Sequence, residues 1–319
     1  MKYAVAVDIG ATQTRVALGN DEGEILELHV FKTSSFPGPD EYLRHIAGLA
    51  LSLEKKHGVE VEGIGVGSPG PLDMKKGEVL KSVNMPFDRL PVVSALKSLT
   101  GKKVAFANDA VTAAVGEKYW GAGRGLENLV YVTISTGIGA GIYVDGELLL
   151  GKHGNAHEVG HVVVDSGEEM TCGCGKKGHW EAYCSGSGIP RYAKFLAARN
   201  PELWEKSPLK SREPLTAKDV FDAFREGDAL ARLVMERVRK FNAYGFAVLV
   251  NVYDPEIITV GGSVALNNPD VLLAGLKEEV EKYALNVVPE IRLTPLGDKI
   301  GVLGALALGL GLEKKVPLV

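Results

Sequence analysis

The strongest indication of the fold is the stretch at 3–26, YAVAVDIGATQTRVALGNDEGEIL. A similar pattern occurs again later in the chain. Residues 129–149, LVYVTISTGIGAGIYVDGELL, have the same order of features: an apolar run rich in β-formers, a loop of Gly, Thr or Ser, a second strand and a turn. Gly10 aligns with Gly137. Two related hairpin units predict a duplicated architecture, in which one unit begins each of two domains.

Helix and strand patterns alternate in the rest of the chain. Amphipathic helix patterns occur at 40–58 and 227–253, and short apolar strands occur at 62–67, 103–109 and 256–262. Strands that alternate with helices predict an α/β protein with largely buried sheets.

Composition limits the classes of partner. The 319 residues carry a formal net charge of −4, which argues against a nucleic-acid-binding surface or a basic membrane-binding face. No signal peptide precedes the first strand, and the apolar run at 300–312 is too short to span a bilayer. Three cysteines do not suggest a disulfide framework. We therefore expect a cytoplasmic protein, and Gln13, the only glutamine, suggests a thermophilic source.

Three loops rich in small residues are candidates for binding phosphate: DIGATQT at 8–14, TISTGIGAG at 133–141 and TVGGSVA at 259–265. Small residues let backbone N–H groups approach an anion, and Asp8 could act through Mg²⁺. Each loop taken singly is equally consistent with a plain tight turn. The chain has no GxxxxGK[ST] motif, and GVGSPG at 65–70 is followed by proline rather than by a helix start, which argues against a dinucleotide fingerprint.

A carboxylate follows the strand at 103–109. Asp109 comes after Asn108, directly before an Ala-rich helical pattern. Strand ends are where α/β folds place their sites, so Asp109 is a candidate general base, although it could also simply cap the helix. HEVGH at 157–161 fits the HExxH pattern of zinc proteases. Its internal glycine and the β-rich residues after it make a long helix improbable there, and we discount that interpretation.

All three cysteines lie in TCGCGKKGHWEAYCSG at 171–186. The spacing is CxC rather than CxxC, which disfavours a redox pair. Cysteine and histidine at this density suit zinc. The alternative is a reduced loop without metal, held by its own glycines.

These motifs, in this order, resemble the ROK family of sugar kinases and repressors over nearly the whole chain, with Ala11 where the family usually has glycine. The resemblance rests on DIGATQTR at 8–15, VGSPGPLD at 66–73, ND at 108–109, TISTGIGAGI at 133–142, GNAHEVGH at 154–161, CGCGKKGHWE at 172–181 and TVGGSV at 259–264. It implies an α/β fold of the actin-like, hexokinase-type, ribonuclease H-like class, duplicated as two domains around a cleft. The implied domains are a smaller N-terminal one, 1–112 with 301–319, and a larger one, 113–300, that carries the sugar-binding and zinc loops.

The implied activity is that of an ATP- and Mg²⁺-dependent hexokinase of the glucokinase type, which phosphorylates the 6-hydroxyl of glucose or related hexoses. The repressor branch carries an added N-terminal helix-turn-helix domain, for which we expect no room here. An N-acetylhexosamine kinase, acting on N-acetylglucosamine or N-acetylmannosamine, and a non-catalytic sugar sensor remain alternatives. The partners implied are a sugar and a nucleotide, with no nucleic acid or membrane, and a homo-oligomer, dimer or tetramer, is expected.

The resemblance also implies residue roles, with Asp109 as the catalytic base. Sugar contacts are carried over to Gly67, Asn84, Asn108, Asp109, Glu158, His161 and Glu181. Nucleotide contacts are carried over to Asp8, Gly10, Ala11, Thr12, Thr14, Arg15, Thr136, Gly137, Gly261 and Gly262. A structural zinc would be held by His161, Cys172, Cys174 and His179. His179 stands where the family has its third cysteine, and Cys184 is an outside candidate for that ligand. Because the phosphate loops are expected elsewhere, we expect the metal to support sugar binding and stability first.

Overall fold

A computed structural model of the chain describes residues 1–81 and 85–319. Asn84, one of the predicted sugar contacts, lies outside these residues. None of the helices in the two described ranges is long and apolar enough to cross a membrane.

The first sheet has five strands in the order β3-β2-β1-β4-β7. Strands β1, β2 and β3 form an antiparallel meander, and β4 and β7 continue the sheet in parallel from β1. Because β1 is central and covered on both faces, its apolar residues form an almost continuous buried run. The bounds are Tyr3–Ile9 (β1), Gln13–Asn20 (β2), Ile25–Lys32 (β3), Val61–Ser68 (β4) and Val104–Asn108 (β7).

The second sheet repeats this topology, with the order β10-β9-β8-β11-β12. In both sheets the third strand is at one edge, followed by the second, the first, the fourth and the fifth, and the last three are parallel. The predicted duplication is therefore present in the structure. The bounds are Leu129–Ile134 (β8), Ile138–Val144 (β9), Glu147–Leu148 (β10), Ile257–Gly261 (β11) and Glu290–Leu293 (β12); Leu72–Asp73 (β5) and Glu78–Val79 (β6) form a separate small hairpin.

Helices fill the intervals between strands, as the patterns predict. They are Pro39–His57 (α1), Val92–Thr100 (α2), Asp109–Trp120 (α3), Trp180–Cys184 (α4), Gly188–Arg199 (α5), Pro201–Lys206 (α6), Ala217–Arg225 (α7), Ala229–Tyr253 (α8), Ser263–Asn267 (α9), Pro269–Leu272 (α10), Leu276–Glu281 (α11) and Ile300–Gly309 (α12).

The chain divides into two compact units. The first consists of residues 1–127, 141–157 and 298–319, and the second of residues 128–140 and 158–297. The C-terminal helix α12 thus belongs with the N-terminal sheet, although almost the whole chain separates them in sequence.

Glycines let α12 pack closely inside the first unit. A Cβ at Gly304 would lie 1.8 Å from the Thr112 carbonyl oxygen of α3, and one at Gly65 of β4 would lie 1.9 Å from the Ala305 carbonyl oxygen. Neither distance is sterically possible, so both positions require glycine. The glycines that break the apolar run at 300–312 are therefore what allow the helix to touch the sheet and α3.

Candidate active site and metal cluster

The first unit collects predicted site residues at the carboxyl ends of three neighbouring strands. Asp8 of β1 pairs in register with Gly67 of β4, and Ser68 of β4 pairs with Asn108 of β7. Adjacent strands lie about 4.8 Å apart. Residues that are 100 positions apart in the chain are thereby brought to one edge of one sheet, where α/β folds bind ligands.

Asn108 rather than Asp109 supplies the N-cap of α3. The Asn108 side-chain oxygen accepts the backbone N–H groups of Ala110, at 2.9 Å, and Val111, at 3.4 Å. Asp109 is the first residue of the helix, and its Oδ1 accepts the Ala110 N–H at 2.8 Å. Asn108 therefore caps the helix, and Asp109 provides a second acceptor for the same Ala110 N–H.

Asp8 is enclosed and faces a cation. The Arg15 guanidinium, on the paired position of β2, donates to Asp8 Oδ2 at 3.2 Å. Burial raises the pKa of Asp8 above its ordinary value, and the charge and hydrogen bond of Arg15 oppose that rise. A Cβ at Gly301, in the first turn of α12, would lie 2.9 Å from the Asp8 carboxyl carbon. The carboxylate therefore occupies space that only a glycine at 301 leaves open.

Hydroxyl groups tie the loop between β1 and β2 to Thr33, the residue directly after β3, and to α1. Thr33 Oγ1 donates to the Gly10 carbonyl at 2.6 Å, and the Thr33 N–H donates to the Thr12 carbonyl at 3.0 Å. Thr14 is wholly buried, and its hydroxyl pairs with Thr33 at 2.9 Å and with Tyr42 at 2.6 Å. Thr14 thus stabilises the loop through hydrogen bonds on its buried side, while Ala11 and Thr12 lie on its more exposed side.

The corresponding loop of the second unit lies between β8 and β9 and is fastened by different groups. The backbone N–H of Gly186 donates to the Ser135 carbonyl at 2.7 Å, and that of Ser187 donates to the Thr136 carbonyl at 3.1 Å. Gly262, after β11, adopts a φ of 84°, and a Cβ there would lie 2.5 Å from the Ile134 carbonyl oxygen. The second and third predicted phosphate loops, with Thr136, Gly137, Gly261 and Gly262, are therefore neighbours in this unit.

A carboxylate also reaches this second loop, from α4. Glu181 Oε2 accepts the backbone N–H of Ile138 at 2.9 Å, and a Cβ at Gly137 would lie 2.5 Å from the same oxygen. The other carboxylate oxygen, Oε1, lies 3.6 Å from Cys172 Sγ. Glu181, predicted only as a sugar contact, therefore links the phosphate loop to the cysteine cluster.

The four predicted zinc ligands come together in the second unit. One ligand atom from each of His161, Cys172, Cys174 and His179 lies within 4.8 Å of the other three. Cys172 Sγ is 3.7 Å from His161 Nδ1, and Cys174 Sγ is 3.3 Å from His179 Nδ1. A tetrahedral zinc bound by two sulfurs and two nitrogens has ligand–ligand separations of roughly 3.3–3.8 Å, so the donor set and these two distances fit zinc.

A small hairpin positions this cluster. The Cys172 N–H donates to the Lys176 carbonyl at 2.7 Å, and the Gly178 N–H donates to the Met170 carbonyl at 3.0 Å. Val163 and His179 form an antiparallel bridge, which holds the His161 segment beside the hairpin. The backbone hydrogen bonds of the hairpin thus bring the candidate ligands together.

The protonation of the cluster follows from its partial burial. Burial raises the pKa of Cys172 to about 12, so metal binding there must displace a proton. Burial and the neighbouring His161 lower the pKa of His179, which favours the neutral imidazole that binds metals. His161 Nε2 lies 3.5 Å from Glu158 Oε2, so this predicted sugar contact is also the partner of a candidate ligand.

Cys184 is not part of the cluster. Its side chain is fully buried, and its thiol donates to the Val238 carbonyl of α8 at 3.5 Å. The four-residue group forms without it. Among the described residues, His179 is therefore the fourth candidate ligand, in agreement with the sequence-based assignment.

A cavity of 740 Å³ lies elsewhere in the first unit, between the β5–β6 hairpin, residues 150–154 and the C-terminal residues. Its described lining includes Met74, Phe106, Lys152 and Val316, and it contains no predicted site residue. The polar groups at the strand ends, rather than this cavity, define the candidate site.

Sequence reasoning missed two contacts, those of Gly301 with Asp8 and of Glu181 with Ile138. The glycine at 301 lies in an apolar run and carries no motif of its own. The only sequence signal for this contact is the spacing of Gly301, Gly304 and Gly309 along one helix. The second contact leaves no sequence signal, since it joins a side chain to a backbone group 43 residues away.

The family model described as the ROK family matches residues 4–311. The chain belongs to the ROK family. It is 40% identical to a glucokinase of Aeropyrum pernix over 325 aligned positions, which cover 100% of each chain. Among solved structures, it resembles a ROK hexokinase from Thermus thermophilus with a TM-score of 0.84 and 32% identity, over 98% of this chain and 99% of the other.

A second solved ROK structure is a glucokinase from Streptomyces griseus in complex with glucose and AMPPNP. It matches with a TM-score of 0.75 and 30% identity, over 96% of this chain and 98% of that one. The predicted family and the predicted actin-like α/β fold are thereby confirmed.

Proposed function

We propose that this ROK protein is a glucokinase-type hexokinase that transfers the γ-phosphoryl group of ATP to the 6-hydroxyl of glucose. The prediction of an ATP-dependent sugar kinase is confirmed by the relatives, which share its whole length and are named glucokinase or hexokinase. The observation that supports specific roles is the alignment of Asp8, Gly67 and Asn108 at one sheet edge, with Asp109 directly after it.

The proposed chemistry needs one base and good positioning. Asp109 accepts the proton of the sugar 6-hydroxyl while that oxygen forms a bond to the γ-phosphorus. The bond from the γ-phosphorus to its bridging oxygen breaks, and ADP leaves. Contacts to the sugar hydroxyls are assigned to Gly67, Asn84, Asn108, Glu158, His161 and Glu181, because carboxylates, amides and imidazoles can accept or donate to paired hydroxyls.

Asp8 and the Gly-rich loops are proposed to handle the phosphates. When bound, Mg²⁺ would neutralise charge that develops on the phosphoryl oxygens. Asp8 suits this cation because its carboxylate is an oxygen donor, and the hydrogen bond from Arg15 holds it in place. The backbone N–H groups of Ala11, Thr12, Thr136, Gly137, Gly261 and Gly262 would face the phosphates. The Gly10 N–H instead donates to the Gln13 carbonyl at 2.9 Å and so shapes the first loop, which Thr14 supports from its buried side.

We assign a structural zinc to His161, Cys172, Cys174 and His179. Bound zinc would supply a closed four-coordinate link that holds the hairpin, with no open position for chemistry. The residues fit the ion because they provide two sulfur and two nitrogen donors within 4.8 Å of one another. His161 would then present its other ring nitrogen toward Glu158 and the sugar.

Several finer predictions remain proposals. These are the domain boundaries 1–112 with 301–319 and 113–300, the homo-oligomeric state, the cytoplasmic location and the preference for glucose over N-acetylhexosamines. The non-catalytic sensor is disfavoured by the presence of both Asp8 and Asp109, the carboxylates that we assign to the phosphates and to the sugar 6-hydroxyl.

The substitution Asp109→Asn tests the proposed base. We expect kcat for glucose phosphorylation to fall by about 10²–10⁴-fold, because the amide cannot accept the proton. Glucose binding by calorimetry and the melting temperature should change little, since Asn108 still caps α3. Asp21→Asn, in an exposed turn of the same unit, is the control. A variant that keeps most of its kcat would refute the role of Asp109.

A further inference from the structure

Glu181 contacts two sites that the proposed function treats as separate. Its Oε2 accepts the Ile138 N–H at 2.9 Å, where the second phosphate loop enters β9. Its Oε1 lies 3.6 Å from the sulfur of Cys172, a candidate zinc ligand. One half-buried carboxylate therefore touches both the phosphate loop and the metal cluster.

The same loop residue has a second contact on the metal side. A Cβ at Gly160 would lie 2.2 Å from the Ile138 carbonyl oxygen, so the backbone next to His161 packs directly on Ile138. Ile138 is thus held through its N–H by Glu181 and through its carbonyl side by the segment that carries a ligand histidine. Both contacts lie inside the second unit.

Bound zinc would fix the positions of the groups that make these contacts. Cys172 contacts Glu181, and the backbone next to His161 packs on Ile138. Because packed groups adopt discrete arrangements rather than deforming freely, the order that the metal imposes on its ligands reaches Glu181 and Ile138.

We propose that Glu181 is a positioning residue that couples zinc binding at the Cys/His cluster to nucleotide binding at the loop 135–138. The metal then controls more than sugar affinity and stability, because it also sets the geometry of the loop that receives the nucleotide phosphates. This inference rests on the proposed zinc site and the proposed phosphate loop, and it adds an energetic link between them.

The proposed coupling can be disrupted by substitutions that leave every candidate metal ligand in place. Gly137 has an ordinary backbone conformation, and the nearest atom to an added Cβ is the end of the Glu181 side chain, at 2.5 Å. Gly137→Ala should therefore push the carboxylate off Ile138 and leave the cluster intact. Glu181→Asp, which keeps the charge but is one methylene too short to reach both partners, is a second variant with the same expected effect.

The experiment measures the affinity of the full-length chain for Mg²⁺-AMPPNP by calorimetry, without sugar, before and after zinc removal. Zinc content is determined in every sample. In the unsubstituted protein, we expect zinc removal to weaken nucleotide binding by about 5–150-fold, the range of ordinary coupling between sites. Gly137→Ala and Glu181→Asp should retain zinc, but their nucleotide affinity should no longer depend on it.

The decisive readout is the zinc dependence, because Gly137→Ala can weaken nucleotide binding directly. Gly48→Ala, in α1, where an added Cβ meets nothing within 4 Å, should keep the full zinc dependence. Nucleotide affinity that is the same with and without zinc overturns the coupling, and so does a full zinc dependence in both Glu181-displacing variants. A chain that binds no zinc overturns the metal site and the coupling together. Failure to phosphorylate glucose would refute only the proposed kinase reaction.

Discussion

The two hairpins β1–β2 and β8–β9 share one topology, but different side chains hold their loops. In the first, Thr33 and Thr14 tie the loop to β3 and α1 by neutral hydrogen bonds. In the second, the loop is tied to the α4–α5 junction by backbone groups and to the metal cluster by Glu181.

The difference is clearest in the carboxylates. When Gly10 is aligned with Gly137, Ser135 takes the place of Asp8. The first loop carries its own acid, while the second receives one from 43 residues away. A duplicated fold can thus keep the same two loops while the acidic side chain at each loop comes from a different part of the chain. The first loop keeps a local acid that suits Mg²⁺, and the second uses a distant acid that also contacts the cluster.

Removing the local acid should have the largest effect in this comparison. We expect Asp8→Asn to lower kcat/KM for Mg-ATP by about 10²–10³-fold, because a cation clamp on phosphate contributes several kcal/mol. Steady-state kinetics against Mg²⁺ and calorimetry with glucose separate the two ligands. Ser135→Ala, the equivalent change in the second loop, should cost much less. Similar losses in the two variants would show that the local acid of the first loop has no special role.

Gly301→Ala should have a smaller effect on the first loop alone. The added methyl group meets the Asp8 carboxylate at 2.9–3.1 Å, so the acid must shift. We expect kcat/KM for Mg-ATP to fall by about 10-fold, as small misplacements of a positioning group do, while KM for glucose stays the same. Gly48→Ala is the matched control for the change in helix propensity. Equal losses for both substrates would mean that α12 only stabilises the fold.

The smallest effect concerns β3, the edge strand of the first sheet. The Glu27 carboxylate of β3 is hydrogen-bonded to Lys56, His57 and His29. These contacts lower the pKa of Glu27 from 4.5 to about 2, and the contact with Lys56 is the largest cause. A lowered pKa stabilises the folded chain above pH 4.5, and this contribution is lost as the pH falls toward 2.

Glu27→Gln should therefore melt below the unsubstituted protein at neutral pH, by a difference that shrinks between pH 4.5 and 2. Thermal unfolding across this range measures it, with the exposed Glu60→Gln as control. A difference that is independent of pH would exclude the ionised Glu27 as its cause. The zinc content of the second unit at neutral pH should be unaffected by this change.

The sequence by itself determined the class of fold and most of the candidate residues. Repetition of the hairpin at 3–26 and 129–149 predicted the duplication, because period-2 apolar runs and small-residue loops are local features. Cys172, Cys174 and His179 could be found together because only a short hairpin separates them. The same holds for Asp8, which lies inside its own motif.

Only the tertiary structure decided which distant groups meet. The approach of α12 to Asp8 depends on the space left by Gly301, which almost the whole chain separates from Asp8 in sequence. The bond from Glu181 to Ile138 joins a side chain to a backbone N–H, which has no residue identity to detect in a sequence. Sequence motifs record which chemical groups are present, but contacts between distant segments arise from packing, and packing is set by the fold as a whole.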